Sequence, residues 1–316
     1  MPERAPWSVI AVVGPTATGK TRLAEDLAIA HGGEVVTADS MQVYRGMDIG
    51  TAKFPAEKRR VPHHCIDLVA PGDPYSAALY QRDARSVIDG LLARRRTPIL
   101  AGGTGLYVRA ALDEMSFPAG ELASDLRARL EAEAGAQGPQ AMHDRLAELD
   151  PASAGLIHPH NVRRTIRALE MAEQGGSYAE QAAGFSTRES HYETLYVGIE
   201  LERTELYSRI DARVDQMLSE GLLDEVAVLL EEGYRDALTA AQAIGYKEFV
   251  PVVEKGTDVD VATAAVKQAS RRYAKRQLTW FRRDPRVRWI SADGMSSADI
   301  ASAAETLVES SARTDL

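Results

Sequence analysis

The sequence predicts an α/β protein: a parallel sheet flanked by helices, interrupted by an inserted all-helical subdomain. Three observations carry this. An unbroken apolar run, Val9 to Val13, is followed by a glycine-rich stretch and then by Leu23, Ala24, Leu27 and Ala28 at helical spacing. Two more short stretches that read as strands, Glu34 to Ala38 and Thr97 to Ala101, enclose a helical pattern of Leu79, Val87 and Leu91. Short strands buried on both faces and alternating with helices imply parallel pairing. From Ser124 to Ala183, by contrast, only helix signals occur.

The glycine-rich stretch is the most specific element. Gly14, Pro15, Thr16, Ala17, Thr18, Gly19, Lys20 and Thr21 match the phosphate-loop pattern Gly, four residues, Gly-Lys-Thr. A strand before it and a helix after it aim backbone N–H groups and a helix N-terminus at an anion. The glycines let the backbone curl close to phosphate oxygens, Lys20 supplies a point charge, and the Thr21 hydroxyl is the expected ligand of a magnesium ion, Mg2+. The fold expected is therefore that of the P-loop nucleoside triphosphatases, and the ligand carries a di- or triphosphate.

In such sheets ligands sit outside the carboxyl ends of the strands. The second strand ends at Asp39, Ser40, Met41 and Gln42, and the third at Gly102-Gly103-Thr104-Gly105. Pro98 lies near that strand's start, where a missing N–H is tolerated. Neighbouring strands are about 4.8 Å apart, so adjacent or next-but-one strands would turn all three groups toward one small ligand. Asp39 is there a candidate to hold magnesium or to take a proton from a nucleophile.

These signals divide the chain into 1–114, the first part of the core; 115–190, a helical insertion; and 191–316, the second part of the core with a basic C-terminal helix and the last strand. Within the insertion Asp150-Pro151 breaks the pattern, Asn161 is positioned to cap a helix ending at Gly175-Gly176, and Ser177 and Glu180 have capping-box spacing. The core resumes with a strand from Thr194 to Ile199. Thr204 is expected to cap a helix with Leu206, Ile210, Val214, Met217 and Leu218 inward, ending at Gly221. Arg209 and Arg213, one turn apart on it, are expected to lie together. A helix follows from Leu222 to Leu230. A long one begins at Thr257 or Asp258 and reaches Trp280 or Phe281, a strand spans Val287 to Ile290, and the remainder allows one weak helix and a loose tail.

Composition narrows the class. The net charge of −9 and a pI near 5.4 argue against non-specific coating of nucleic acid. Yet Lys267 to Arg288 holds nine Lys/Arg against one acid, Asp284, and Arg163, Arg164 and Arg167 form a second basic cluster. A locally basic face on an acidic protein suits a selectively chosen polyanion. The stretch Arg271 to Arg283 adds interleaved aromatics, as phosphate and base contacts with nucleic acid require. No apolar run approaches bilayer length, and Met1 to Pro6 leaves no room for a signal peptide, so no membrane association and a cytoplasmic location are expected. Cys65 is the only cysteine; contiguous His63, His64 and Cys65 do not have the spacing to converge on one zinc ion.

Together these residues resemble the tRNA dimethylallyltransferases, also called tRNA isopentenyltransferases, in their compact bacterial form. The resemblance runs from the phosphate loop to about Arg283. It rests on the ordered set of residues 14–21, 38–45 (Ala-Asp-Ser-Met-Gln-Val-Tyr-Arg), 48–53 (Asp-Ile-Gly-Thr-Ala-Lys), 62–67 (Pro-His-His-Cys-Ile-Asp), 101–107 (Ala-Gly-Gly-Thr-Gly-Leu-Tyr), 244–248 (Ile-Gly-Tyr-Lys-Glu) and 274–282 (Ala-Lys-Arg-Gln-Leu-Thr-Trp-Phe-Arg). The first motif alone is shared by many nucleotide enzymes; the ordered set is far more specific. It implies transfer of a dimethylallyl group from dimethylallyl diphosphate to N6 of the tRNA adenosine just 3′ of the anticodon. Asp39 matches the family's base, Thr104 a position that contacts the reacting nucleotide, and Asp39 to Gln42 the stretch that holds the flipped base. Lys20, Thr21-bound magnesium and Arg213 would stabilise the leaving diphosphate. Arg127, Arg163, Arg164, Arg167, Gln242, Gly245 and Tyr246 match positions or stretches facing tRNA, and the helical insertion would grip the anticodon stem. Two features depart from some or most relatives. There is no C-terminal zinc-finger extension of the eukaryotic kind, and Cys65 stands where another apolar residue is usual.

Two other readings remain at this point. A P-loop small-molecule kinase would bind ATP in the same loop and use Asp39 toward a substrate hydroxyl. A nucleotide-controlled binding module would need switch loops that the sequence does not identify. The helical insertion and the basic helix argue against the kinase, whose small substrate needs neither. A monomer is expected.

Overall fold

A computed structural model of the chain describes residues 7–117, 125–185 and 188–313. The expectation placed on Met1 to Pro6 lies outside the described residues. The chain divides into two compact units, one of residues 1–112 with 190–316 and one of residues 113–189.

The first unit is built on six strands: β1 (Val9–Val13), β2 (Glu34–Ala38), β3 (His63–His64), β4 (Pro98–Gly102), β5 (Thr194–Glu200) and β6 (Val287–Ser291). Their order across the sheet is β3-β2-β4-β1-β5-β6, and every pair is parallel. β1, β2 and β4 are buried along their whole length, as the apolar runs of β1 and β4 anticipate, while β2 buries Glu34 and Thr37 as well. β1 lies beside β4 and β4 beside β2, with Val13 opposite Gly102 and Gly102 opposite Ala38. The ends of these three strands are therefore level, and the loops that follow them open together.

Helices α1 (Lys20–Ala30), α2 (Ala77–Ala93) and α3 (Gly105–Leu112) follow β1, β3 and β4. α1 packs on β4, while Leu23, Ala24, Leu27 and Ala28 join a core with Ile10, Val12, Ile99, Val197 and Ile199. β3 and α3 were not anticipated. β3 consists of two histidines and carries no apolar signal; it forms because Val35 and Val36 offer their outer ladder to it. α3 begins within the glycine run itself, at Gly105, directly after the strand end that the sequence turns toward a ligand.

The second unit contains α4 (Asp125–Leu149), α5 (Pro151–Leu156), α6 (Val162–Glu173) and α7 (Tyr178–Gly184). Leu130, Met142, Leu146, Ile157, Ile166 and Leu169 form its core. α4 bends at Gly138, whose φ of +85° precedes Pro139. Asp150, Asn161 and Ser177 cap the three helices that follow.

The first unit then continues with α8 (Arg203–Ser219), α9 (Leu222–Glu231), α10 (Val250–Lys255), α11 (Val259–Arg282) and α12 (Ser297–Arg313). α8 is capped by Glu202, whose carboxylate accepts from the Thr204 N–H at 2.5 Å, and not by the Thr204 hydroxyl as expected. A carboxylate at a helix N-terminus also meets the positive end of the helix dipole. Asp258 caps α11. α11 packs on α8 and α3, so the long basic helix spans from the outer layer to the loop end of the sheet. Among the described residues no helix is long and apolar enough to cross a membrane.

Gly14 is a tight point at the sheet's loop end. Its φ is +143°, and a Cβ there would stand 2.4 Å from the Ile199 carbonyl oxygen on β5. Gly14→Ala is expected to destabilise the protein by about 2–3 kcal/mol, read as a lower urea midpoint at unchanged slope.

Candidate active site

The loop between β1 and α1 curls around its own carbonyls. The Thr18 hydroxyl donates to the Pro15 carbonyl at 2.9 Å and the Lys20 ammonium to the same oxygen at 2.5 Å. Ala17 and Gly19 have φ of +65° and +88°. α1 has no side-chain cap, so its first N–H groups stay available to an anion.

Arg213, on α8, closes the cradle. It donates to the Thr16 hydroxyl at 2.7 Å and to the Thr51 carbonyl at 3.2 Å. Its Nε–H is buried and has no partner among the described residues. A desolvated guanidinium with an unmet donor beside a phosphate loop is a ready partner for a diphosphate oxygen. Burial, and then the charge of Arg213, push the Lys20 amine down to about 7; the Asp39 carboxylate opposes them. Burial also lowers the Arg213 pKa, again against Asp39. Two cations thus crowd one small volume, which favours an anionic ligand there.

The acceptor side is built from the ends of β2 and β4. Asp39 is half-buried, and its Oδ1 accepts from the Met41 N–H at 2.9 Å, which fixes the carboxylate's orientation. The Thr104 hydroxyl accepts from the Ser40 N–H at 3.1 Å and donates to the Ser40 hydroxyl at 3.3 Å. The Gln42 amide donates to the Thr51 carbonyl at 3.1 Å, the same oxygen that Arg213 uses. Asp39, Ser40, Gln42, Thr104, Lys20 and Arg213 therefore belong to one site, as the level strand ends anticipate.

Two residues of this site were missed as individuals. Gln277, buried on α11, accepts from the Thr16 N–H and donates to the Gly103 carbonyl, both at 2.9 Å. Tyr273, one turn earlier, interacts with the Thr104 and Gln277 side chains, and burial followed by the Asp39 charge pushes its phenol up to about 12. Their spacing of four on a helix is the one signal the sequence offers, set among basic residues that suit nucleic acid. The glycines of the second loop answer to the same helix. A Cβ at Gly103 would lie 2.2 Å from Gln277 Nε2, and one at Gly105 2.1 Å from Trp280 Nε1.

Other expected residues lie elsewhere. Arg209 does not join Arg213; it pairs with Glu205 at 2.6 Å, one turn back on the same helix. Arg127, in the second unit, is held by both oxygens of the buried Glu170, and Arg167 lies 3.7 Å from that carboxylate. Arg163 and Arg164 are exposed at the start of α6. Gln242 is exposed on a short 3-10 turn, Ala240–Gln242. Gly245 is buried with φ +92°, and Tyr246 is fully buried, so the Tyr246 side chain does not reach a surface where it could meet tRNA. The basic stretch is also less bare than its sequence implies. Lys267 and Arg271 pair with Asp215 and Asp211 on α8, Arg282 with Glu200, and Arg286 with Asp284. Arg272, Lys275 and Arg276 remain exposed on α11. His63 and His64 bond to Glu25 and Glu34, and among the described residues no three His, Cys, Asp or Glu side chains form a metal cluster.

Magnesium fits the cradle on its donor chemistry. Thr21 is exposed and its hydroxyl has no partner among the described residues. One hard oxygen donor beside a phosphate loop suits a metal that takes most of its ligands from phosphates and water.

The family described as IPP transferase matches residues 42–284, and one described as isopentenyl transferase matches residues 7–60. The chain belongs to the IPP transferase family. Curated tRNA dimethylallyltransferases of Parafrankia and Streptomyces coelicolor are each 48% identical to it; the alignments cover 92% and 95% of this chain and 90% and 96% of theirs. The crystal structure of a full-length tRNA isopentenylpyrophosphate transferase from Bacillus halodurans superposes with a TM-score of 0.70 at 42% identity, covering 98% of this chain and 99% of that one. A eukaryotic dimethylallyltransferase, studied acting on tRNA, superposes with a TM-score of 0.77 at 26% identity, over 95% of this chain and 77% of that one. The chain thus shares with solved relatives the P-loop sheet on which its site is built.

The Lys20 amine gives the site a proton signature. With its pKa near 7, it is largely neutral at pH 8, and a bound anion favours its protonated form. Binding of inorganic diphosphate at pH 8 is expected to take up about one more proton in the wild type than in Lys20→Met. Affinity should fall as pH rises above 7. Calorimetry in buffers of different ionisation enthalpy reads both.

Proposed function

We propose that this protein transfers a dimethylallyl group from dimethylallyl diphosphate to N6 of the adenosine immediately 3′ of the anticodon in tRNA, releasing diphosphate. The observation that carries the reading is the meeting of a cationic phosphate cradle with an oriented carboxylate and hydroxyl at adjacent strand ends. The kinase reading is not favoured by the family.

The exocyclic amine of adenine is a weak nucleophile because its lone pair is delocalised into the ring. As N6 attacks the allylic carbon, the new C–N bond forms and the C–O bond to diphosphate breaks. The proton leaving N6 goes to Asp39, a role typically worth about 10²–10⁴-fold. Thr104, fixed through Ser40, orients the base, and residues 39–42 line its place. The base must leave its stack to arrive, at a cost of a few kcal/mol that is least in a loop. Lys20, Arg213 and the loop amides receive the charge that develops on diphosphate, where fixed donors act most strongly. Magnesium bound through Thr21 would neutralise part of that charge.

The reading extends to partners. Arg163 and Arg164, with Arg272, Lys275 and Arg276, offer exposed cations for tRNA phosphates. Arg127 and Arg167 would act indirectly, by fixing the surface around Glu170. The site is complete within one chain, which supports a monomer, and its tRNA substrate supports a cytoplasmic location.

The direct test incubates the protein with magnesium, dimethylallyl diphosphate and unmodified tRNA, then digests the RNA and weighs its nucleosides. Adenosine heavier by one dimethylallyl group is expected; its absence, with phosphate transfer from ATP to a small metabolite, would restore the kinase. Asp39→Ala should lower kcat by about 10²–10⁴-fold while tRNA affinity stays within a few-fold, as filter binding would show. tRNA affinity should also fall steeply from 50 to 200 mM salt, in proportion to the phosphates contacted.

A further inference from the structure

Glu225 lies in the first turn of α9, outside the cluster described above, yet its carboxylate is fully engaged. One oxygen accepts from the Asp48 and Ile49 N–H groups at 3.1 and 2.7 Å. The other accepts from the Gly50 N–H at 3.2 Å and from the Tyr246 hydroxyl at 2.6 Å. Three successive backbone donors and a buried phenol thus converge on one side chain. Gly50 is required for this: a Cβ there would sit 2.4 Å from the Tyr246 ring. The far end of the same loop is held by Lys53, whose buried ammonium meets Asp48 and Asp67, each at 2.5 Å, and the Tyr44 carbonyl at 2.9 Å.

Between these two anchors lies Thr51. Its carbonyl accepts from Arg213, which also holds Thr16 of the phosphate loop, and from Gln42 on the stretch after β2. The loop is therefore a joint between the diphosphate side and the acceptor side, and its position is set from outside the site.

We propose that Glu225 is a positioning residue: by clamping residues 48–50 it places the Thr51 carbonyl that orients Arg213 and Gln42. This rests on the diphosphate-transfer reading only for its catalytic consequence. Glu225→Gln tests it without changing the side chain's shape. An amide has one acceptor oxygen, so its NH2 must face either the Asp48 and Ile49 donors or the Gly50 and Tyr246 donors, and the clamp opens on that side.

The experiment measures inorganic diphosphate binding by calorimetry, steady-state kinetics with dimethylallyl diphosphate and tRNA, and thermal unfolding. It uses wild type, Glu225→Gln, Arg213→Lys and the double variant. The single Glu225→Gln change should lower kcat by roughly tenfold to a hundredfold, as an ångström-scale misplacement of a transition-state donor does. It should weaken diphosphate binding by several-fold and leave far-UV dichroism unchanged. In the Arg213→Lys background the same change should weaken diphosphate binding little further, because its effect on the diphosphate side runs through Arg213. Full additivity, or unchanged kcat and diphosphate affinity, would overturn the proposal. A wild type that binds diphosphate but forms no dimethylallyl adenosine would overturn the reaction instead, and the diphosphate cycle would still decide the role of Glu225.

Discussion

One buried carboxamide ties the site to the fold. Gln277 uses both ends of its amide, accepting from the phosphate loop and donating to the loop after β4. With no solvent to replace either bond, each loop's position is conditional on α11 and on the other loop. The same helix brings Tyr273 to Thr104 and presses Trp280 against Gly105. A helix that reads as a surface for nucleic acid is thus also the inner wall of the chemistry. Its cations divide accordingly, some neutralised by Asp211 and Asp215 of α8 and some left exposed.

The site is assembled around charge placed in a partly desolvated space. Lys20 and Arg213 repel one another and are both weakened by burial, while Asp39 compensates in part. Such an arrangement is costly until an anion arrives, and that cost is what makes the cradle selective for one. Orientation is supplied by uncharged bonds: Met41 N–H on Asp39, Ser40 on Thr104, and the Thr51 carbonyl shared between Gln42 and Arg213. Electrostatics chooses the ligand, and the backbone fixes where its atoms react.

Much of this was legible in the sequence, for identifiable reasons. β1 and β4 are buried on both faces, so their sequences are apolar throughout; a phosphate loop has a strict local pattern; Asn161, Ser177 and Asp258 cap helices through their own side chains. Asp39 and Thr104 follow such strands, and parallel sheets place such positions at the ligand end. β3 escaped notice because two histidines carry no strand signal apart from their neighbour's unpaired edge. The Thr204 cap failed because the helix begins before Thr204, with Glu202 at its N-cap accepting from the Thr204 N–H.

What the sequence by itself determined is whatever depends on neighbours within a turn or a strand: the strands, the loop, most caps, and the residues that can reach a strand's end. Only the tertiary structure decided which long-range partner each polar side chain takes. Arg213 could have joined Arg209 but reaches Thr16, 197 positions away; Tyr246 could have faced RNA but is buried on Glu225. A buried donor must find an acceptor, and which acceptor lies within reach is set by the packing of helices that a local pattern does not encode.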